Sequence, residues 1–199
     1  IVADFAARPP HGWDHVIKLA DTLGASVWDC NSRLNFPGNH KLNLSMAPEQ
    51  CYAGADVVLA LDINDFEKPT HVRDIATRTV KSMVPEDAKW IDIGITDIEI
   101  SKWAMTYART FHVDQRITAD VVKAAPLLTE LLKQRIDATE GAAEAIARRT
   151  AAIGATHDEI RNLWRKEAEE NWDLNPMTVG RLALEVWDVI KDEDWVLTA

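Results

Sequence analysis

Short, unbroken apolar runs alternate along this chain with longer segments in which apolar residues return every three or four positions. The clearest run is Val57-Val58-Leu59-Ala60-Leu61, bounded by Asp56 and Asp62. A Val/Leu-rich run of this length predicts a strand buried on both faces, as at the centre of a parallel sheet. Trp90-Ile91-Asp92-Ile93 repeats the pattern, and further strands are expected at residues 1–5, 25–30 and 116–119. A helix is expected from Trp13, with Val16, Ile17, Ala20 and Leu23 on one stripe and Gly24 as its stop. A short helical piece is expected around 48–52. A later helix carries Val121, Ala125, Leu128, Leu132 and Ile136, with Pro126 suited to its first turn. Residues 97–103 read as a short helix. Residues 66–87 are ambiguous: Ile75, Thr79 and Met83 would make a helical face that Pro85 ends. Alternating strands and helices predict an α/β three-layer sandwich.

The pattern changes past the last of these helices. Residues 142–152 are rich in Ala and Arg and read as a connecting helix or linker. Thr156-His157-Asp158-Glu159 has the form of a capping box that opens a helix with Ile160, Leu163, Trp164 and Ala168 inward. Pro176 begins another, whose face carries Val179, Leu182, Ala183, Val186 and Ile190. Asp194 and Trp195 then start an apolar run that stops at Ala199. A single strand cannot pair with itself, so this end reads as the opening of a further domain. The expected organisation is a central α/β domain over 1–138, a helical linker over 139–175 and the truncated start of a C-terminal domain over 176–199. Ile1 is not a native start, so an upstream segment is expected as well.

Composition narrows the function classes. The 199 residues are 47% hydrophobic, enough for a core, and carry a formal net charge of −10. Scattered acidity without Lys/Arg clusters argues against a nucleic-acid-binding face. No apolar run approaches the roughly 20 residues of a membrane span. Cys30 and Cys51 lack CxxC spacing and read as buried, reduced thiols of a cytoplasmic protein. The eight tryptophans fall mostly at core or interface spacing.

Candidate chemistry is sparse. The first turn, Ala6-Ala7-Arg8-Pro9-Pro10-His11-Gly12, has neither a dinucleotide-binding glycine fingerprint nor a P-loop. His11 and His15 lie one helical turn apart without a third assignable ligand, so a polar helix face competes with a metal role. Asp62-x-Asn64 starts like a calcium loop, but Glu67 and Arg73 occupy positions that require glycine and an acid. Asp92 and Asp120 follow strands, where a carboxylate either accepts from a ribose or caps a helix. No Ser/His/Asp or Cys/His set argues for a nucleophilic catalyst.

Several ordered segments carry a resemblance. They are Leu19-Ala20-Asp21-Thr22-Leu23-Gly24-Ala25-Ser26-Val27, Asn35-Phe36-Pro37-Gly38-Asn39-His40-Lys41-Leu42, and Ala55-Asp56-Val57-Val58-Leu59-Ala60-Leu61. Trp90-Ile91-Asp92-Ile93 with Glu99, Ile100 and Lys102 follows, then Ile117-Thr118-Ala119-Asp120 and the stretch from Asn175-Pro176-Met177 to Val196-Leu197. In this order the chain resembles the middle domain, linker and start of the C-terminal domain of thiamine-diphosphate-dependent enzymes of the acetolactate synthase/2-oxo-acid decarboxylase superfamily. The resemblance implies a mainly parallel, about six-stranded Rossmann-like sheet. It implies a parent enzyme, a homodimer or homotetramer, that uses thiamine diphosphate and magnesium to decarboxylate a 2-oxo acid or to ligate its acyl-anion equivalent. The activating glutamate and the metal motif would lie in the N- and C-terminal domains outside this chain, leaving the segment catalytically silent alone. Some relatives bind FAD or ADP on the middle domain. Carried over by position, that rim is Asp62, Asn64, Asp92, Ile93, Asp120 and Val121. Here Asp62 replaces a glycine, and an acid there meets an anionic diphosphate unfavourably. A structural domain without nucleotide therefore ranks first, and a free-standing nucleotide- or small-ligand-binding α/β module second.

Overall fold

A computed structural model describes residues 1–30, 34–95 and 111–195. Its elements in chain order begin with β1 (Val2–Ala3), α1 (Gly12–Leu23), β2 (Trp28–Asp29), α2 (Pro48–Tyr52) and β3 (Val57–Leu61). They continue with β4 (His71–Arg73), β5 (Val80–Ser82), β6 (Lys89–Gly94), β7 (Gln115–Thr118), α3 (Val121–Asp137), α4 (Ala142–Glu170) and α5 (Val179–Ile190).

Five strands form one sheet in the order β2-β1-β3-β6-β7, every neighbouring pair parallel. Together with its flanking helices this sheet makes a three-layer, Rossmann-like α/β sandwich. Among the described residues the sheet has five strands rather than six. β3 sits at its centre, and Val58, Leu59, Ala60 and Leu61 are all buried. This is the two-sided burial that an unbroken apolar run predicts. α1 and α3 pack against each other. Val16, Leu19 and Ala20 of α1 share one core with Leu59, Leu61, Ile93, Val121 and Ala125. α1 ends at Gly24 in the left-handed conformation, φ +55°, as its stop signal predicts.

Four expectations need correction. Residues 66–87 contain a two-stranded antiparallel hairpin, β4 with β5, rather than a helical face. Asp74 Oδ1 accepts from the Ala76 and Thr77 amides, and Arg78 adopts φ +57°. That local turn chemistry, between β-branched segments, overrides the weak helical spacing. The capping-box residue Thr156 does not open a helix, because α4 runs unbroken through it. The Ala-rich stretch before it has strong helix propensity, and Gly154 costs only about 1 kcal/mol. Pro126 lies beyond the first turn of α3, where it leaves the Val122 carbonyl without its helical donor. Finally, the apolar stripes of α4 and α5 are not inward throughout: Leu163, Trp164, Leu182, Val186 and Trp187 are exposed, as is Trp195. The expected helix over 97–103 lies outside the described residues, as does nearly all of the terminal strand.

The chain divides into two compact units, Ile1–Ala155 and Thr156–Ala199. The first holds the sheet. In the second, Gly180 lies so close to Ala168 that an added Cβ would meet the Ala168 Cβ at 2.9 Å. No helix among the described residues is long and apolar enough to cross a membrane.

Candidate functional site

The chain leaves β1 towards β2 on one side and returns to place β3 on the other. The direction of winding therefore reverses between β1 and β3. In open parallel sheets, ligands collect beyond the strand carboxyl ends at such a reversal. Here that place is built from Asp4 and Phe5 after β1, Asp62 and Asn64 after β3, Gly94 at the end of β6, and Asp120 before α3.

Arg8 dominates it. Its Nη1 lies 2.6 Å from Asp62 Oδ2 and donates to the Phe5 carbonyl at 3.2 Å. Its Nη2 donates to Asp120 Oδ1 at 2.8 Å. One guanidinium from the first turn thus joins carboxylates that follow β3 and β7. Burial opposes the Arg8 charge, but the hydrogen bond to Asp120 and the nearby Asp62 outweigh it, and its pKa is raised.

Asp62 is fully buried, at φ +48°. Its Oδ1 accepts from the Ile95 amide at 3.0 Å, and its backbone N–H donates to the Ile93 carbonyl at 2.9 Å. Aspartate is one of the few residues with a side chain that tolerates this backbone region. Gly94 makes room for it: a Cβ there would lie 2.9 Å from Asp62 Oδ1. Asp120 is the N-cap of α3, accepting from the Val122 amide at 3.0 Å. The Arg8 hydrogen bond is the largest influence holding its carboxyl below the usual range.

The other rim candidates are placed differently. Asp92 does not follow its strand; it lies inside β6, buried, with Arg116 Nη2 3.0 Å from its Oδ2. The two residues are register partners across β6 and β7. Burial pushes the Asp92 carboxyl up, partly offset by Arg116. Ile93 and Val121 are buried in the core. Asn64 is exposed, and its amide donates to Asp4 Oδ2 at 3.3 Å. Asp62 and Asp120 are therefore brought together through Arg8, whereas Asp92 belongs to a separate pair.

Three contributors were not singled out in the sequence as site residues. Arg8 appeared only as part of a turn without glycines. The signal was the pair of acids at Asp62 and Asp120, which calls for a nearby cation once both follow parallel strands. Asp4 is buried, and its Oδ1 has no hydrogen-bond partner. Asn35 is fully buried; its Nδ2 donates to Asp29 Oδ1 at 2.8 Å, and its Oδ1 accepts from the Ala7 amide at 3.1 Å. It pins the first turn, and with it Arg8.

The thiols face inward chemistry. Cys51 is buried and Cys30 half-buried, both unpaired. Burial, then the carboxylates of Asp4, Asp29 and Asp65, push the Cys30 thiol far up. His11 and His15 have ring centroids 6.3 Å apart. Among the described residues, no group of three His, Cys, Asp or Glu side chains is arranged to hold a metal ion.

Fold and rim together define an α/β protein with a Rossmann-like parallel sheet whose strand-end crevice is spanned by an internal ion-pair bridge. No protein-family model and no curated protein matches the chain. Among solved structures, the chain is similar to an enzyme from Mycobacterium smegmatis provisionally described as thiamin diphosphate-dependent. The identity is 24% and the TM-score 0.45, over 65% of this chain. The match spans 24% of the length of that protein.

Proposed function

We propose that this chain is the middle domain, connecting helices and opening of the following domain of a thiamine-diphosphate-dependent enzyme, and that this middle domain is a structural and assembly element rather than a nucleotide site. The order of motifs along the sequence supports the family. The observation that carries the structural role is Arg8, whose guanidinium already spans the strand ends between Asp62 and Asp120. A nucleotide diphosphate entering there would displace a bridge whose removal leaves Asp62 buried and unpaired.

The parent is an acetolactate synthase-like lyase or transferase of the cytoplasm, a homodimer or homotetramer, acting on a 2-oxo acid. Thiamine diphosphate supplies the carbanion chemistry when bound, and the protein supplies orientation. The residues that hold it and its magnesium ion belong to the domains on either side. The residues of this chain hold the strand ends fixed, and no proton or electron transfer falls to them.

Calorimetric titration of the chain with FAD, ADP and thiamine diphosphate tests this reading. The expected result is no binding to any of the three. Micromolar FAD or ADP binding would overturn the structural role, and tight thiamine diphosphate binding would overturn the domain assignment. One observation favours a second reading, a small-ligand-binding module: the orphaned Oδ1 of Asp4 at the winding reversal, which a ligand hydroxyl or ammonium would satisfy. ADP binding that is lost in Asp4→Asn would select it.

A further inference from the structure

Four aspartates are buried among the described residues: Asp4, Asp29, Asp62 and Asp92. Three of them are answered. Asp62 meets Arg8 and Asp92 meets Arg116, while Asp29 accepts from the Asn35 and Phe36 amides and from Asn35 Nδ2. Asp4 is not. It is 4% exposed, its Oδ2 takes one long hydrogen bond of 3.3 Å from the Asn64 amide, and its Oδ1 takes none. An ionised carboxylate offers about four acceptor positions, and leaving most of them empty away from water is costly. A local fault of this kind, kept at the end of a strand, is where function is expected.

The surroundings of Asp4 define what would answer it. Ala3 belongs to the core shared with α1, so Asp4 faces the other side of the sheet. The register that pairs Ala3 with Asp29 continues to place Cys30 beside Asp4, and the Cys30 amide donates to the Ala3 carbonyl at 2.9 Å. The segment after β3 adds exposed Asn64, half-buried Asp65 and exposed Lys68. Burial acts most on the Cys30 thiol, and of the charges that act on it, Asp4, Asp29 and Asp65 raise its pKa against Lys68 alone. The field at these strand ends is therefore negative. A metal ion is a poor match, because no three ligating side chains converge among the described residues. A positive group with N–H donors satisfies both the empty acceptor positions and the field.

We infer that Asp4 anchors a binding site for a small primary ammonium group, between the ends of β1 and β2 and the segment after β3, with Asp65 adding attraction and Lys68 opposing it. The ammonium donates to Asp4 Oδ1 in a charge-assisted hydrogen bond. It enters where Asn64 lies on the carboxylate, at the loss of one long hydrogen bond. This inference deepens the small-ligand reading above, narrowing its ligand from hydroxyl or ammonium to ammonium. The thiamine diphosphate assignment does not depend on it.

Thermal melting of the full chain in ammonium chloride or butylammonium chloride, with ionic strength held constant by sodium chloride, tests it. The expected result is a saturable rise in Tm with at least one of these salts. Tetramethylammonium, which has the charge without N–H donors, should give none. Saturation by ammonium alone assigns the site to the free ion, and saturation by butylammonium assigns it to the head of an organic amine. Asp4→Asn should raise the Tm without ligand, since it removes an uncompensated buried charge, and should weaken the response about tenfold or more. Its own cooperative melt shows that it folds. Lys68→Ala, at an exposed position, should tighten the response several-fold. The absence of a saturable shift with either amine would overturn the inference, as would an Asp4→Asn variant that responds like the parent. An equal shift with 1-butanol would return the site to a hydroxyl ligand and overturn the charge assignment. ADP binding that is lost in Asp4→Asn, without any response to amines, would overturn this inference and leave the small-ligand reading standing.

Discussion

Arg8 bridges two carboxylates of unequal exposure, and that inequality separates their responses to substitution. Asp62 is fully buried, whereas the Asp120 side chain keeps 44% of its exposure. Arg8→Ala should therefore cost about 2–4 kcal/mol in urea denaturation, chiefly by stranding Asp62, a little under the cost of breaking a fully buried pair. Asp120 carries the pH signature. Its folded pKa is depressed, so its contribution is full above the ordinary carboxylate pKa and is lost as pH falls through the folded value. Melting temperature should thus fall on acidification, with a shallower dependence in Arg8→Ala. Gly94→Ala would drive a methyl group to 2.9 Å from Asp62 Oδ1 and should cost about 1–3 kcal/mol by thermal melting. Cys30 and Cys51 should both react slowly with a thiol reagent at mildly alkaline pH and freely in denaturant, since burial raises both pKa values. Asp62 and Asp120 could be picked out from the sequence because each follows a strand, whereas Asp4 was not. Arg8 could not, because its role depends on Asp120, 112 residues away.

Elements with a strong period were legible, and those settled by a turn or by competing propensities were not. β3 and α1 follow directly from an apolar run and a 3.6-residue stripe closed by glycine. The β4–β5 hairpin did not, because Ile75, Thr79 and Met83 happen to fall at helical spacing. The deciding information was in Asp74, whose side chain folds the turn onto itself. The boundary within 139–175 was misplaced because a Thr-x-x-Glu pattern has the same form inside a continuous helix as at its start. Two substitutions probe the elements. Thr178 caps α5 by accepting from the Arg181 amide, and Thr178→Ala should lower helicity and stability by about 1 kcal/mol. Gly24→Ala places a methyl 2.5 Å from Thr150 Oγ1 in a backbone conformation that favours glycine, and should cost about 2–4 kcal/mol.

At the scale of the molecule, the sheet and its core belong to residues up to Ala155. A chain ending there should keep the cooperative melt of the α/β unit if the remainder opens a separate domain. A large loss of stability would favour the free-standing module. Two long-range contacts within the first unit carry a further consequence. Arg8 finds Asp120, and the Arg149 guanidinium donates to the Leu23 and Gly24 carbonyls that close α1. The first turn and the first helix of this unit are each completed by side chains that come much later in it. As the polypeptide emerges from the ribosome, α1 waits with unanswered carbonyls, and Asp62 is translated before Asp120 has joined it at Arg8. Nascent chains that end before about residue 150 should therefore leave this unit open to proteases, with its resistance arriving late and abruptly rather than growing with length.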